Sequence, residues 1–297
     1  MNTFKSNRHT HCLSRCRSVI LGAATAAVTL LGVSAARPAR AANILLSSGN
    51  STVTIDPTST AGVEDWTING QNQLNQQWFW IRTGNENGQS SLNSLGTPSV
   101  TPISSSMTEL IYGSTTGLQI TVTYALDGGQ SSSKTSDLND SVMIDNYSGK
   151  SEKVEFFEYA NFNLDDLTTG QTAMISGSNT ATVTGNGYQS QTVVSPTPSD
   201  YEANTYLNLL DNISSGSTSY TLSKVSTAPA GDPEWGFEWI LTLPKNGSDV
   251  ITGDSLIQGT AFVVPEPVSS SISLLGLGGL FLSRPRRRDE VDDLNDD

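Results

Sequence analysis

Cysteine and histidine are confined to the first 16 residues of this 297-residue chain, as His9, His11, Cys12 and Cys16. Everything after them lacks an imidazole and a thiol. A zinc site built on Cys or His, a Ser-His-Asp triad, a Cys nucleophile and a structural disulfide are therefore excluded there. Basic residues are also scarce: between Ala42 and Val264 only Arg82, Lys134, Lys150, Lys153, Lys224 and Lys245 face 22 acids. Phosphate neutralisation needs clustered Lys and Arg, so nucleic acid is excluded as a partner. Attraction to an acidic polysaccharide is disfavoured for the same reason, which leaves neutral glycan, protein or a contact bridged by a divalent cation. No phosphate loop, dinucleotide fingerprint or repeat at solenoid spacing is present.

Both ends of the chain carry address-like segments. Lys5, Arg8, Arg15 and Arg17 precede an apolar run from Val19 to Ala35, and Ala39-Arg40-Ala41 supplies an A-x-A site. This order predicts a signal peptide over residues 1–41, with the mature chain starting at Ala42. At the other end Pro265-Glu266-Pro267 precedes an apolar run from Val268 to Leu282, then Arg284, Arg286, Arg287 and Arg288. Arginines after such a run hold a membrane segment with that side inward. The arrangement closely resembles the PEP-CTERM sorting signal of exported bacterial proteins. That resemblance implies an exosortase-type processing enzyme as partner, transient inner-membrane anchoring through the C-terminal helix, and a final location at the cell surface or outside the cell amid exopolysaccharide and biofilm. The chain is thus expected to divide into a signal peptide (1–41), an ectodomain (42–264), a sorting signal (265–288) and an acidic tail (289–297). The tail, Asp289 to Asp297, is a departure from the usual ending of such signals.

The 223-residue ectodomain is expected to be all-β. From Gln119 to Leu126 the residues alternate, with Ile120, Val122, Tyr124 and Leu126 on one face. Trp235, Phe237, Trp239, Leu241 and Leu243 repeat the period more strongly. Period two marks half-buried strands. Val142–Ile144, Val154–Phe162, Ala181–Val183 and Leu256–Val263 are further candidates, and Asp127-Gly128-Gly129 and Asn246-Gly247 supply turns. One stretch breaks the period: Ala203, Tyr206, Leu207, Leu210 and Ile213 recur at three and four, after a Ser199-x-x-Glu202 capping box. A short helix from about Asp200 to Asp211 follows. The predicted fold is an antiparallel β-sandwich with one short helix, flanked by an N-terminal signal helix and a single C-terminal membrane helix. Two smaller sandwiches divided near Ser131 or Ser195-Pro196 are the alternative.

Several constellations bear on chemistry. Trp78, Trp80 and Arg82 share a strand face, and rings beside a guanidinium stack on sugars; burial in a central strand is the competing reading. The run from Gln77 to Gly84 also resembles a Trp-Phe-x-x-Arg-x-Gly segment of other PEP-CTERM proteins, which implies no catalytic residue. Asp165 with Asp166, Glu155 with Glu158, and Glu234 with Glu238 are carboxylate pairs of the kind a glycosidase needs. Asp137-Leu138-Asn139-Asp140 carries calcium-type ligands without EF-hand spacing. Ser131-x-x-Lys134 matches a serine acyl-enzyme pattern in a polar loop where that chemistry is out of place. Asn50, Asn146, Asn212 and Asn246 open N-glycosylation triplets.

The leading expectation is an exported, non-enzymatic surface or matrix protein that needs no cofactor, calcium being the one candidate. The alternatives are a carbohydrate-binding module using Trp78, Trp80 and Arg82, and a glycoside-active enzyme relying on two carboxylates. A cleft with two facing carboxylates is what would favour the last.

Overall fold

The computed structural model describes residues 42–84 and 86–259; the signal-peptide and sorting-signal readings fall outside them. Seventeen strands run in the order β1 (Ile44–Ser48), β2 (Ser51–Asp56), β3 (Gly62–Ile68), β4 (Gln71–Asn72), β5 (Gln76–Thr83), β6 (Ser90–Ser91), β7 (Ser99–Ser104), β8 (Met107–Gly113), β9 (Leu118–Gly128), β10 (Thr135–Asn146), β11 (Glu152–Asn161), β12 (Gln171–Ser176), β13 (Thr180–Gly185), β14 (Tyr188–Ser195), β15 (Asp200–Thr205), β16 (Pro233–Leu243) and β17 (Ser248–Gly259). The single α-helix described, α1, spans Asn208–Ser214. All these elements belong to one compact unit.

The strands form two sheets. The first has nine strands in the order β1-β2-β3-β5-β11-β16-β15, with β4 beside β3 and β6 beside β5. The second has eight, β12-β13-β14-β17-β10-β9-β8-β7. Pairing is antiparallel throughout except for a short parallel contact between β3 and β5. The expected β-sandwich is therefore what the chain adopts.

The core lies between the sheets, where the period-two residues meet. Along β10 the inward set Leu138, Asp140, Val142 and Ile144 is buried, while Asn139, Ser141 and Met143 are half-buried or exposed. From the first sheet, Phe79, Phe156, Trp235, Phe237 and Trp239 are all buried, with Phe79 and Phe156 stacked at 5.4 Å. Each such ring removed from water contributes about 1.5–3 kcal/mol. Trp235, Phe237 and Trp239 are thus core residues, as the strength of their alternation implies.

The crossing between sheets at β16 and β17 uses the expected Asn246-Gly247 turn, with Asn246 at φ 57°. Buried Asn146 holds it to the β10–β11 crossing: its side-chain amide donates to the carbonyls of Lys150 (2.8 Å), Leu243 (3.1 Å) and Pro244 (3.0 Å), and its side-chain oxygen accepts from Ser148.

The helix expectation needs correcting. Residues Asp200–Thr205 are the edge strand β15, and the helix starts later, at Asn208. Ser199 and Glu202 do not form a capping box. Ser199 Oγ accepts from the Ile240 N–H, and Glu202 binds Tyr220 and Ser223. Pairing with β16 won over a local 3.6-residue pattern, because Ala203 opposite Trp235 extends the ladder.

Candidate functional site

The face of the first sheet that points away from the second is not open to solvent at β16. Because side chains alternate, core residues Trp235, Phe237 and Trp239 put Glu234, Gly236 and Glu238 on that outer face. Both glutamates have no exposed surface. Register places their neighbours: on β15, Asp200 lies opposite Glu238, Glu202 opposite Gly236 and Asn204 opposite Glu234. On β11, Phe157, Tyr159 and Asn161 take the same three levels. Glu234 and Glu238 therefore flank Gly236, and Glu202 faces it from the side.

A strap, residues 206–232, closes over this face. Leu209 and Ile213 of α1 and Leu222 beyond it are buried. Gly236 leaves room for two of them: a Cβ there would lie 3.3 Å from Leu209 and 3.6 Å from Leu222. Each glutamate accepts a backbone N–H from the strap. Leu209 donates to Glu234, Leu222 to Glu238 at 2.9 Å and Ser223 to Glu202 at 2.9 Å. Tyr159 from the sheet adds its hydroxyl to Glu234 at 2.8 Å, and Tyr220 from the strap adds its own to Glu202 at 2.8 Å.

These surroundings act differently on the three acids. Burial pushes Glu234 up to about 7, against the hydrogen bonds from Tyr159, Leu209 and Leu210 that favour its charge. Burial likewise pushes Glu238 up to about 7; the Leu222 N–H, Arg82 and Lys153 oppose the rise and Asp200 adds to it. Burial also works against ionised Glu202, but donors from Ser223, Tyr220 and Asn204 outweigh it and hold the group below its ordinary value. One oxygen of Glu238, Oε1, is buried with no hydrogen-bond partner. Two carboxyls that titrate near neutrality under a protein cover are suited to giving and taking protons at physiological pH.

The aromatic strand face takes the buried reading rather than the glycan-binding one. Trp78 and Trp80 are 0% and 1% exposed, so neither ring is free to stack on a sugar. Trp78 donates to Ser91 Oγ at 2.8 Å and meets Tyr112 edge-on; Trp80 meets Tyr159 edge-on at 5.9 Å. Gly62 is required beside Trp78, since a Cβ there would come within 2.2 Å of the indole. Arg82 pairs with Glu155. β5 sits inside the sheet, with β3, β6 and β11 as its partners, and both of its faces are covered.

Other carboxylate readings separate in space. Glu155 meets Arg82, whereas Glu158, three residues on and so on the opposite face, meets Gln77 in the core at 2.9 Å. Asp165 and Asp166 occupy a 3-10 turn with positive φ. Asp137 to Asp140 is strand rather than loop: Asp140 turns into the core while Asp137 and Asn139 remain half-buried on the other face, so the four residues do not converge on an ion. Among the described residues no group of three or more acids, Cys or His is arranged to hold a metal ion. An open cleft of about 590 Å³ lies at one end of the sandwich, between Thr83, Ser114, Leu118, Ser148 and Lys150.

The pairing of Glu234 with Glu238 is readable in the run Glu-Trp-Gly-Phe-Glu-Trp, where acids fall in the opposite phase to rings. Glu202 and the strap are not readable there, because a hydrogen bond from a loop N–H leaves no mark on composition.

No protein-family model matches the chain, and no curated protein matches it in sequence. Solved structures do match in fold. A bacterial glucoamylase solved with acarbose matches at TM-score 0.53 and 9% identity, over 74% of this chain and 33% of that one. The chain thus spans about a third of the glucoamylase's length. A galactose mutarotase-like protein from Lactobacillus casei matches at TM-score 0.48 and 8% identity, over 73% of this chain and 100% of that one. An α-mannosidase from Bacteroides thetaiotaomicron matches at TM-score 0.39 and 11% identity, over 73% and 30%. At 9% identity the glucoamylase likeness speaks for the sandwich fold alone. It also corrects the non-enzymatic expectation: the fold is one that a carbohydrate-active enzyme contains, and all-β architecture with no imidazole or thiol gives no ground for excluding catalysis.

Proposed function

We propose that this is an exported carbohydrate-active protein of the cell surface or extracellular matrix, acting on a neutral glycan through the glutamates under the strap. The observation that carries the reading is the placement of Glu234 and Glu238: buried, on one outer face, each two positions from Gly236 and so four apart along β16, and both pushed up to about 7. Cleavage of a glycosidic bond needs one carboxyl to protonate the leaving oxygen and another to act as base or nucleophile. Groups that titrate near neutrality supply both forms at once. The excess of acids over bases in the ectodomain argues for an uncharged substrate. Export through residues 1–41 and sorting through Pro265-Glu266-Pro267 and the Arg284 to Arg288 cluster belong to the same proposal, with an exosortase-type enzyme as the processing partner.

The test is turnover of a panel of neutral oligosaccharides and polysaccharides by the purified protein, read as new reducing ends. Glu234→Gln and Glu238→Gln are expected to lower the rate roughly 10²- to 10⁴-fold while leaving glycan binding in place. Neither turnover nor binding of any neutral glycan would overturn the reading.

A further inference from the structure

The strap is anchored unevenly. Its base is closed by a backbone bond from Tyr206 N–H to the Asp232 carbonyl at 2.9 Å. Residues 224–228 are bound on both sides, Lys224 to Tyr201 and Ala203 to Val225 toward β15, Ile175 to Ser226 and Ala228 to Ala173 toward β12. Residues 207–223, by contrast, reach the sheet through side chains: the carboxylates of Glu202, Glu234 and Glu238, the Asn208 amide, which donates to Thr205 Oγ1 on β15 at 2.7 Å, and the buried apolar groups of Leu209, Ile213 and Leu222. Gln89 gives the tip a further hold, since its amide bonds Tyr220. Main-chain ladders hold the ends of this excursion, and carboxylates hold its middle.

We propose that residues 207–223 form a lid over the glutamate face that closes when Glu234 and Glu238 are protonated and opens as they ionise. The lid stands on the anchoring pattern; that a glycan enters beneath it rests on the function proposed above. The direction follows from desolvation. In the closed form burial by the sheet and the strap together raises both carboxyls from an ordinary 4.5 to about 7, and removing the strap returns part of that surface to water. The closed form therefore holds protons more tightly than the open form, so acid favours closure, and rising pH from about 4.5 through about 7 favours opening. The remaining charged or titratable groups around the face are Asp200 and Glu202 on β15, Glu155, Tyr159 and Lys153 on β11, Arg82 on β5, and Tyr206, Asp211, Tyr220, Lys224 and Asp232 on the strap. Arg82 is paired with Glu155 and Lys224 with Asp200 at 3.0 Å, so these cations do not neutralise Glu234. Glu202 is held below its ordinary value and stays charged across this window.

Amide hydrogen exchange of the full chain without glycan, corrected for intrinsic rates, tests the lid. Protection of the Leu209, Leu222 and Ser223 amides is expected to fall roughly ten-fold or more from pH 5 to pH 8, with residues 224–228 unchanged. In Glu238→Gln, and more fully in Glu234→Gln with Glu238→Gln, that pH dependence is expected to shrink. Equal protection at the two pH values overturns the lid, as does loss of protection in 207–223 and 224–228 together, which would report unfolding of the whole edge. Lid opening in a protein that neither cleaves nor binds glycan would overturn the proposed function and leave the lid; glycan turnover with unchanged exchange would do the reverse.

Discussion

Two buried residues show how much a single polar side chain does here. Asn146, with no exposed surface, ties two crossings between the sheets through three donated bonds and the Ser148 bonds it accepts. Replacing it with alanine removes the buried bond to the Leu243 carbonyl, which keeps the Ser151 hydroxyl at 3.2 Å, and the part-buried bonds to Lys150, Pro244 and Ser148, at about 1–3 kcal/mol for each buried group left unsatisfied. Asn146→Ala is therefore expected to lose at least ~2 kcal/mol in urea unfolding; a loss near zero would mean water replaces the amide. Its burial also makes the Asn146 glycosylation triplet unavailable in the folded chain. The second residue is Glu158. Gln77 donates to Glu158 at 2.9 Å and to Asp140 at 3.4 Å across the sandwich. Glu158 Oε2, Asp140 Oδ2 and the Tyr124 hydroxyl are buried without hydrogen-bond partners. Burial, then the charge of Asp140, pushes Glu158 well above the usual carboxylate range, so it is carried as the neutral acid in the fold. Glu158→Gln keeps the shape and removes the group that must ionise on unfolding. At pH 8 the variant is expected to be more stable than the parent by about 1–3 kcal/mol, with little difference at pH 4. Destabilisation at pH 8 would show that Glu158 is charged and paired instead.

At the scale of elements, legibility followed burial on one face. Strands β9 and β10 are readable because one face meets the core and the period-two pattern records it, whereas β16, covered on both faces, is readable because its acids alternate with its rings. β5 is covered on both sides, so its rings alternate with nothing polar, and a buried face and a sugar-binding face look alike in sequence. β15 misleads as a helix because Ala203 lies in the strand, Tyr206 and Leu207 in the turn after it, and Leu210 and Ile213 in α1, so apolar residues of three different pieces fall at helical spacing by accident of the junction. Of the candidate site, Glu234 and Glu238 are visible as acids out of phase with rings. Glu202 and the strap become visible only with the register of β15 against β16 and the return of residues 207–223 over the sheet. The importance of β16 is testable at Trp239, which is 1% exposed, packs against Phe156 and Phe237, and donates to the Pro196 carbonyl at 2.8 Å. Trp239→Ala removes a large ring and leaves that carbonyl without its donor, and is expected to cost roughly 3–5 kcal/mol. Unchanged thermal stability would mean that the face repacks or is not core.

For the whole molecule, the acids set a pH profile unlike that of a typical domain. Burial is the first cause raising Asp65, Asp137, Asp140, Asp145, Asp232, Asp254, Glu158, Glu234 and Glu238. Asp137 reaches about 7, helped by the nearby charge of Asp254. Glu202 shifts the other way. A carboxyl raised on folding binds its proton more tightly in the native state, so its contribution is full below the unfolded value near 4 and is lost as pH climbs toward the folded value. Groups near 7 place that loss between about pH 4 and pH 7. The formal charge of −13 works in the same direction, because each ionisation adds to self-repulsion. Salt bridges offset little: Lys150 with Glu152 and Lys224 with Asp200 join cations that are more than half exposed. The protein is therefore expected to be more stable at pH 5 than at pH 8, by at least ~2 kcal/mol, since each ten-fold gain in proton affinity on folding is worth about 1.4 kcal/mol before screening. Urea unfolding at the two pH values, at constant ionic strength, measures it directly. Stability that rises from pH 5 to pH 8 would mean that the interior acids are ionised and satisfied in the native state, and would remove the physical basis for both the proton-sharing glutamates and the acid-closed lid.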